Sequence, residues 1–375
     1  MPGEKIVMSI NASWNIFNFR KDLIGAFQHA GYRVTALAPE DEYSQRLTEW
    51  GVDFRPIRID QKGMSPLRDL RLLRDYRSAL RALRPDVFLG YTIKPNIYGS
   101  LAAQSLGIPV INNVSGLGTA FLGSGLLTRV ASALYRAAFK RSSTVFFQNK
   151  DDRALFLQKH LVAPRQARLL PGSGVDLAFF APSDAPRAAG PFRFLFIGRL
   201  LWDKGVREFI DAARLVRRQF PEARFALLGF VDSANRTAVG RAELDSWVGE
   251  GLVEYLGASD DVRPHILRAD CVVLPSYREG LPRALLEGAA MAKPLIATDV
   301  PGCRDVVRQG ENGLLCAVRD SNALARAMMQ MISMTEAERA HIGRRGRAHV
   351  EANFDQRLVS ELYLAAIAAA LERRR

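Results

Sequence analysis

The sequence predicts an α/β chain made of two doubly wound parallel-sheet domains facing a cleft. Three observations carry that expectation. Short apolar runs alternate with stretches of helical period along the chain, the pattern of βαβ units and parallel sheets. A length of 375 residues is long for one core and comfortable for two. The segment PGSGVDLAFFAPSDAPRAAG, Pro171–Gly190, has no clear period and is rich in Pro and Gly, so it reads as a linker. The expected domains are residues 1–180 and 181–355, followed by a helix over 356–375 that could cross back to the first domain.

In the first half, Lys5–Ile10 reads as a buried strand, Phe19–Ala30 as a helix stopped at Gly31, and Arg33–Ala38 as the next strand. Asp41–Trp50 is expected helical, Phe54–Ile59 extended, and Leu67–Leu83 helical up to Pro85. Val87–Tyr91, Val110–Asn113 and Thr144–Gln148 are further strands with helices between. In the second half the strands are Phe192–Ile197, Arg224–Leu228, Val253–Leu256, Cys271–Pro275 and Leu295–Thr298. The helices are Val206–Gln219, Val262–Arg268, Pro282–Met291, Asn322–Ser333, Glu336–Asn353 and Asp355–Arg373.

Composition narrows the class. With 48% hydrophobic and 24% charged residues the chain is globular rather than disordered. No apolar run reaches the roughly 18 residues of a membrane span, and the opening MPGEKIVMSIN lacks the apolar stretch of a signal peptide. Cys271, Cys303 and Cys316 are odd in number and lack metal-ligand spacing, which suits a reduced, cytoplasmic setting. The net charge of +13 is uneven: residues 1–180 hold 24 Lys+Arg against 14 Asp+Glu, and residues 181–375 hold 28 against 25. A basic first half suits a phosphorylated substrate or an anionic surface, although Arg outnumbers Lys 43 to 9 and a compositional bias accounts for part of the excess.

Two segments of the second half carry the chemistry. IGRLLWDKG at Ile197–Gly205 follows a strand directly. Arg199 and Lys204 are therefore two fixed cations near a strand end, suited to a diphosphate and to the charge that develops as it leaves. In REGLPRALLEGAA, Gly280 and Leu281 precede Pro282 at a helix start, where backbone N–H groups can hold a phosphate. Glu279 stands in the loop ahead, placed to accept from hydroxyls of a transferred sugar. Glu287 lies within the helix, placed to accept from ribose hydroxyls. Eight residues of ideal helix turn about 80° beyond two full turns, so the two carboxylates would not share a face if both were helical. No DxD pattern stands at a strand end, Asp260–Asp261 reads as a turn, and neither metal nor cofactor is expected.

Taken in order, IGRLLWDKG, EGLPRALLEGAAMAKPLIATDVPGCRDVV and ENGLL resemble glycosyltransferase family 4, the retaining enzymes of GT-B fold. The matching residues are Arg199, Lys204, Glu279, Gly280, Leu281, Glu287, Pro301, Gly302, Asn312 and Gly313. PGSGVD at Pro171–Asp176 is like the family's hinge-side loop. In the first half MSINASWNIFNFRKDLIGAF, YTIKPNIYGSLAA and INNVSGLGTAFL resemble a bacterial subgroup that builds surface polysaccharides and lipid-linked oligosaccharides, including α-1,3-N-acetylgalactosaminyltransferases. The resemblance implies a UDP-sugar donor, N-acetylhexosamine foremost, transferred with retention to a polyprenyl-diphosphate-linked sugar. It assigns Glu279, Arg199 and Lys204 to catalysis, and Arg199, Lys204, Glu279, Gly280, Leu281 and Glu287 to the donor.

The acceptor side falls to the first half. Asn11, Asn15 and Asn18 are expected in the loop after the first strand. Lys94 and Asn96 follow the Val87–Tyr91 strand. Ser115, Gly116 and Thr119 lie in a glycine-bearing turn that permits close backbone approach. Many family members carry a histidine near the transferred sugar. His29, His160, His265, His341 and His349 stand at no evident strand end of the first half, so no general base is named, and the resemblance implies front-face displacement in which the leaving phosphate takes the proton.

Two stretches suit a membrane surface. Arginines at 68, 71, 74, 77, 81 and 84 recur every three or four residues among Leu70, Leu73, Leu80 and Leu83. Gly123–Arg141 places Leu126, Leu127, Val130, Leu134 and Phe139 among Arg129, Arg136, Lys140 and Arg141, and of the two it fits the membrane better. Basic amphipathic helices lie in anionic interfaces, so the chain is expected on the inner face of the cytoplasmic membrane. A nucleotide-sugar epimerase of the same fold is a second enzyme reading, with no need of a membrane. A basic nucleic-acid-binding protein is a third, disfavoured because no aromatic platform interleaves the arginines and no nucleic-acid module appears.

Overall fold

The computed structural model describes residues 3–60, 65–116, 125–183, 190–231 and 237–374. It divides into two compact units: Met1–Ser173 with Gln356–Arg375, and Gly174–Asp355.

Among the described residues the first unit holds seven strands: β1 Lys5–Ser9, β2 Arg33–Ala38, β3 Asp53–Pro56, β4 Val87–Tyr91, β5 Val110–Val114, β6 Thr144–Phe147 and β7 Ala167–Leu169. They pair in parallel in the order β3-β2-β1-β4-β5-β6-β7. Successive strands therefore run outward in one direction from β1 and in the other from β4, and the order reverses between those two. Side chains alternate across the sheet. Ile6 and Met8 join one core with Phe27 of the helix Ser13–His29 and with Val359, Tyr363 and Ile367 of the helix Gln356–Glu372. Val7 and Phe88 face the other way, onto Leu72, Tyr76 and Leu80 of the helix Pro66–Leu83. A further cluster on Tyr135, Phe139 and Phe156 anchors the helix Leu126–Phe139 over β6.

The second unit repeats the plan with β8 Arg193–Ile197, β9 Arg224–Leu228, β10 Glu254–Tyr255, β11 Cys271–Leu274, β12 Leu295–Thr298 and β13 Gly313–Cys316. All pairs are parallel, in the order β10-β9-β8-β11-β12-β13. Here the order reverses between β8 and β11. In open α/β sheets ligands bind outside the carboxyl ends of the strands where the order reverses, so each unit has one marked position.

Several elements depart from expectation, each for a tertiary reason. The first helix begins at Ser13 rather than Phe19. Ser13 Oγ donates to the Pro39 carbonyl, and the Trp14 N–H donates to Asp41 Oδ2 at 3.1 Å. A carboxylate 27 residues away thus satisfies an N-terminal amide that sequence inspection leaves without a cap. Pro171–Gly190 is not a free linker throughout. Val175 and Phe180 are buried in the second unit's core, the Val175 N–H donates to the Phe354 carbonyl at 2.9 Å, and Arg347 donates to the carbonyls of Leu177, Phe180 and Ala290. Residues 184–189 lie outside the described set.

Candidate functional site in the second unit

The loops that follow β8 and β11 flank the reversal point of the second sheet, and each carries a charge to it. Lys204 Nζ donates to Glu279 Oε1 at 2.5 Å, with the two side chains 20% and 12% exposed. Ser276 Oγ donates to the same oxygen at 2.6 Å, and Thr298 Oγ1 donates to the Ser276 carbonyl. Glu279 is therefore aimed by a cation from one loop and a hydroxyl from its own. A charge-assisted bond of this kind, largely shielded from water, orients a carboxylate more firmly than a neutral one.

Glycine brings the loops that close. Gly205 has φ +75°, and a Cβ there would lie 2.0 Å from the Pro275 carbonyl oxygen. The Tyr277 N–H donates to the Asp203 carbonyl at 2.9 Å across the same seam. Behind Glu279, its N–H donates to the Pro301 carbonyl at 3.2 Å. A Cβ on Gly302 (φ +82°) would meet the Gly280 and Glu279 carbonyl oxygens at 2.6 and 2.8 Å. The motif residues Pro301 and Gly302 thus serve as the floor of the Glu279 loop. Asn312 and Gly313 are structural in the same sense. Buried Asn312 donates to the Val306 carbonyl at 2.9 Å and accepts from the Arg308 N–H at 2.7 Å. A Cβ at Gly313 would sit 2.5 Å from the Leu295 carbonyl.

Arg199 stands two residues past β8 and is exposed. Among the described residues its guanidinium has no ion pair. Gly280 is buried, and Leu281 packs on the second core. Pro282 takes the cap position in extended conformation, so the helix runs Arg283–Ala290, one residue later than expected. Glu287 lies within it, buried, and accepts from Arg283 Nε at 2.9 Å. Burial pushes its carboxyl pKa upward, and Arg283 pulls it partly back. The i,i+4 spacing of Arg283 and Glu287 was legible in the motif, yet Arg283 was not among the expected site residues. Ser276 was also missed, because nothing local in SYRE marks its hydroxyl as the neighbour of Glu279. A second layer went unread too: Tyr277 Oη donates to Glu208 Oε1 at 2.8 Å, and Arg319 lies over the Tyr277 ring at 4.6 Å.

In the first unit the expected acceptor residues separate. Asn11 is in the turn after β1, but Asn15 and Asn18 belong to the helix Ser13–His29, a correction that follows from its earlier start. Asn18 Nδ2 donates to the Trp14 carbonyl at 2.9 Å. Lys94 is not a solvated loop lysine, since its Nζ pairs with Asp69 Oδ1 at 2.8 Å with side chains 14% and 9% exposed. Asn96 lies in the π-helical turn Pro95–Gly99, 1% exposed, and donates to the Asn113 carbonyl at 2.8 Å. Its amide is thus spent inside the domain. Ser115 and Gly116 (φ +129°) follow β5. Thr119 lies outside the described residues. Among the described residues no cluster of metal-ligating side chains occurs.

The basic helices also resolve. Pro66–Leu83 packs inward through Asp69, Leu72, Tyr76 and Leu80. Arg71, Arg74, Arg77 and Arg81 face solvent, with Leu67 83% and Leu70 46% exposed at the helix start. Leu73 and Leu83 are only partly buried. In Leu126–Phe139, Phe139 is buried and Leu134 partly buried in the core, while Val130 points outward. The side chains of Leu126 and Leu127 lie outside the described set. Among the described side chains the first helix exposes Leu67 and Leu70 beside its arginines, and the second exposes Val130 beside Arg129. Among the described residues no helix is long and apolar enough to cross a membrane.

Comparisons with known proteins agree with the fold. Residues 19–173 match the model of the glycosyl transferase 4-like domain, and residues 191–334 that of glycosyl transferases group 1. The chain is 26% identical over 371 residues to N,N'-diacetylbacillosaminyl-diphospho-undecaprenol alpha-1,3-N-acetylgalactosaminyltransferase of Campylobacter jejuni, covering 94% of this chain and 96% of that one. It is 25% identical to UDP-Gal:alpha-D-GlcNAc-diphosphoundecaprenol alpha-1,3-galactosyltransferase of Escherichia coli, over 72% of each chain. Among solved structures, Anabaena HepE in complex with UDP and glucose superposes with a TM-score of 0.81 at 19% identity, covering 97% of this chain and 99% of that one. Sucrose-phosphate synthase from Thermosynechococcus elongatus superposes at 0.79 with 20% identity, over 98% and 100%. These likenesses establish the GT-B fold, and with a 4-like domain in its first half and a group 1 domain in its second the chain is a glycosyltransferase.

Proposed function

We propose that this glycosyltransferase moves an N-acetylhexosamine, N-acetylgalactosamine foremost, from a UDP-sugar to a polyprenyl-diphosphate-linked saccharide with retention of configuration. The observation that carries the reading is the Lys204–Glu279 pair at the reversal point of the second sheet. On this reading Glu279 receives hydroxyls of the transferred sugar, and Glu287, preset by Arg283, receives the ribose. Arg199, Lys204 and the start of the helix Arg283–Ala290 face the diphosphate, so the charge that grows on the leaving group meets fixed cations and needs no metal. No carboxylate is assigned as a covalent nucleophile, because Glu279 is engaged by Lys204 and Ser276. The leaving phosphate itself would take the acceptor's proton. The name of the Campylobacter jejuni relative supports the sugar and the acceptor.

The test is transfer from a panel of UDP-sugars to an undecaprenyl-diphosphate-linked saccharide, with the product's anomeric configuration read by NMR. The expected result is fastest turnover with UDP-N-acetylgalactosamine, an α-linked product, and no loss on adding EDTA. Conversion of the UDP-sugar to its epimer without acceptor would instead establish the epimerase reading.

We also place the chain on the inner face of the cytoplasmic membrane through the outward side of Pro66–Leu83. Each arginine near an anionic surface contributes about 1 kcal/mol, and Leu67 and Leu70 supply apolar anchors. Vesicles containing phosphatidylglycerol should pellet the protein and release it in high salt, with binding weakened by Arg71→Glu/Arg74→Glu. Equal pelleting with neutral vesicles at high salt would sink the electrostatic account.

A further inference from the structure

Arg20 is a buried arginine with no carboxylate partner among the described residues. It is 5% exposed, midway along the helix Ser13–His29 that follows β1. Its guanidinium lies 4.7 Å from the centroid of the Tyr91 ring. Its Nη1 donates to the Phe19 carbonyl at 3.3 Å, and Nε is buried without a partner among the described residues. No ion pair to it forms among the described residues. A lysine so placed could shed its proton, but an arginine stays charged. Buried charges are normally paired.

The surroundings are polar. Tyr91 ends β4 and is the register partner of Asn113 on β5. Asn113 Nδ2 donates to Tyr363 Oη at 2.8 Å, and Gln148 Nε2 to Asn113 Oδ1 at 3.4 Å. Tyr363 stands over Tyr91 with ring centroids 6.1 Å apart. Burial holds the hydroxyls of Tyr91 and Tyr363 above the usual tyrosine range, so both remain neutral. The position is also the one the topology marks, since β1 and β4 flank the reversal of the first sheet. The backbone leaving β4 is strained there: Thr92, β-branched, has φ +60°, a conformation such residues rarely adopt and one that gathers at functional sites.

We propose that Arg20, with Tyr91 beside it, is a phosphate subsite of the first domain that holds one phosphate of the acceptor's diphosphate bridge. The assignment to the acceptor rests on the lipid-linked reading above; the subsite itself does not. A phosphate would supply the counter-charge that the fold withholds.

The experiment measures inorganic pyrophosphate binding by calorimetry in a full-length R199A/K204A chain, which removes the second domain's cations, with and without Arg20→Met or Arg20→Lys. Affinity should fall at least tenfold with Met and be largely kept with Lys. Melting temperature should be unchanged or higher with Met, because a buried unpaired charge is gone. In the otherwise native chain, Arg20→Met should raise KM for the lipid-linked acceptor and leave donor KM alone. A rise in donor KM instead keeps the subsite and assigns it to the donor's phosphate. Unchanged pyrophosphate affinity with a lowered melting temperature would mean that Arg20 is only a packing element, and the proposal falls. If no lipid-linked acceptor is used at all, the pyrophosphate measurement still decides the subsite.

Discussion

Replacing Glu279 by Ala lowers the transfer rate about 10²–10³-fold, the scale of losing one preorganised electrostatic contact to the reacting centre, and leaves the fold intact. Glu279 lies in a loop, its backbone is held by the Pro301 carbonyl and by the Gly302 seam, and neither contact needs the carboxylate. Lys204→Ala should cost a similar factor, because it removes both a cation and the group that aims Glu279. The double variant should lose little more than the worse single one, since residues acting as a unit are not additive. Rates with the preferred UDP-sugar, alongside circular dichroism, check all three. A Glu279→Ala chain that turns over normally would remove the centre of the functional reading, and a nucleic-acid-binding protein would be indifferent to it.

Gly205→Ala should lower the melting temperature by about 6–12 °C. The new methyl group would fall 2.0 Å from the Pro275 carbonyl oxygen, a backbone atom that cannot swing aside, at φ +75°. A cost of about 3 kcal/mol, the upper part of the range for single substitutions, converts at about 2–4 °C per kcal/mol for a unit of this size. Gly251→Ala is the control. It shares a positive φ of +62° but has nothing within 4 Å of its Cβ, so it should show the conformational penalty alone, about 1 kcal/mol. Equal shifts in the two variants by calorimetry would mean that the seam between the Lys204 and Glu279 loops is looser than described. Because that seam carries both side chains, Gly205→Ala should also lose activity in whatever fraction stays folded.

These contrasts explain what could be read from sequence. Strands such as Arg33–Ala38, Arg224–Leu228 and Leu295–Thr298 are legible to the residue because buried parallel strands are nearly continuous apolar runs. The helices Val206–Gln219 and Glu336–Asn353 match as well, the latter closed by the Thr335–Glu338 capping box. The edge strands β7 and β13 went unread; β7 has three residues, two of them exposed, and so carries no apolar run. Of the site, the one pair local in sequence, Arg283 four before Glu287, follows the helical spacing rule. What failed were pairings set by the folded chain. Asp41 caps a helix 27 residues before it, Asp69 claims Lys94, and Asn113 claims Asn96. No spacing rule reaches such partners, so Asn15, Asn18, Lys94 and Asn96 were read as loop groups open to a ligand.

The last helix, Gln356–Glu372, belongs to the first unit. Val359, Tyr363 and Ile367 are buried there, and burying an aliphatic side chain of this kind contributes about 1.5–3 kcal/mol. During synthesis the first unit therefore leaves the ribosome with one side of its sheet covered only in part, by the helix Ser13–His29, while the second unit, contiguous in sequence, can close before it. The half that is made first is finished last, and until then its exposed apolar face is a target for chaperones and for self-association.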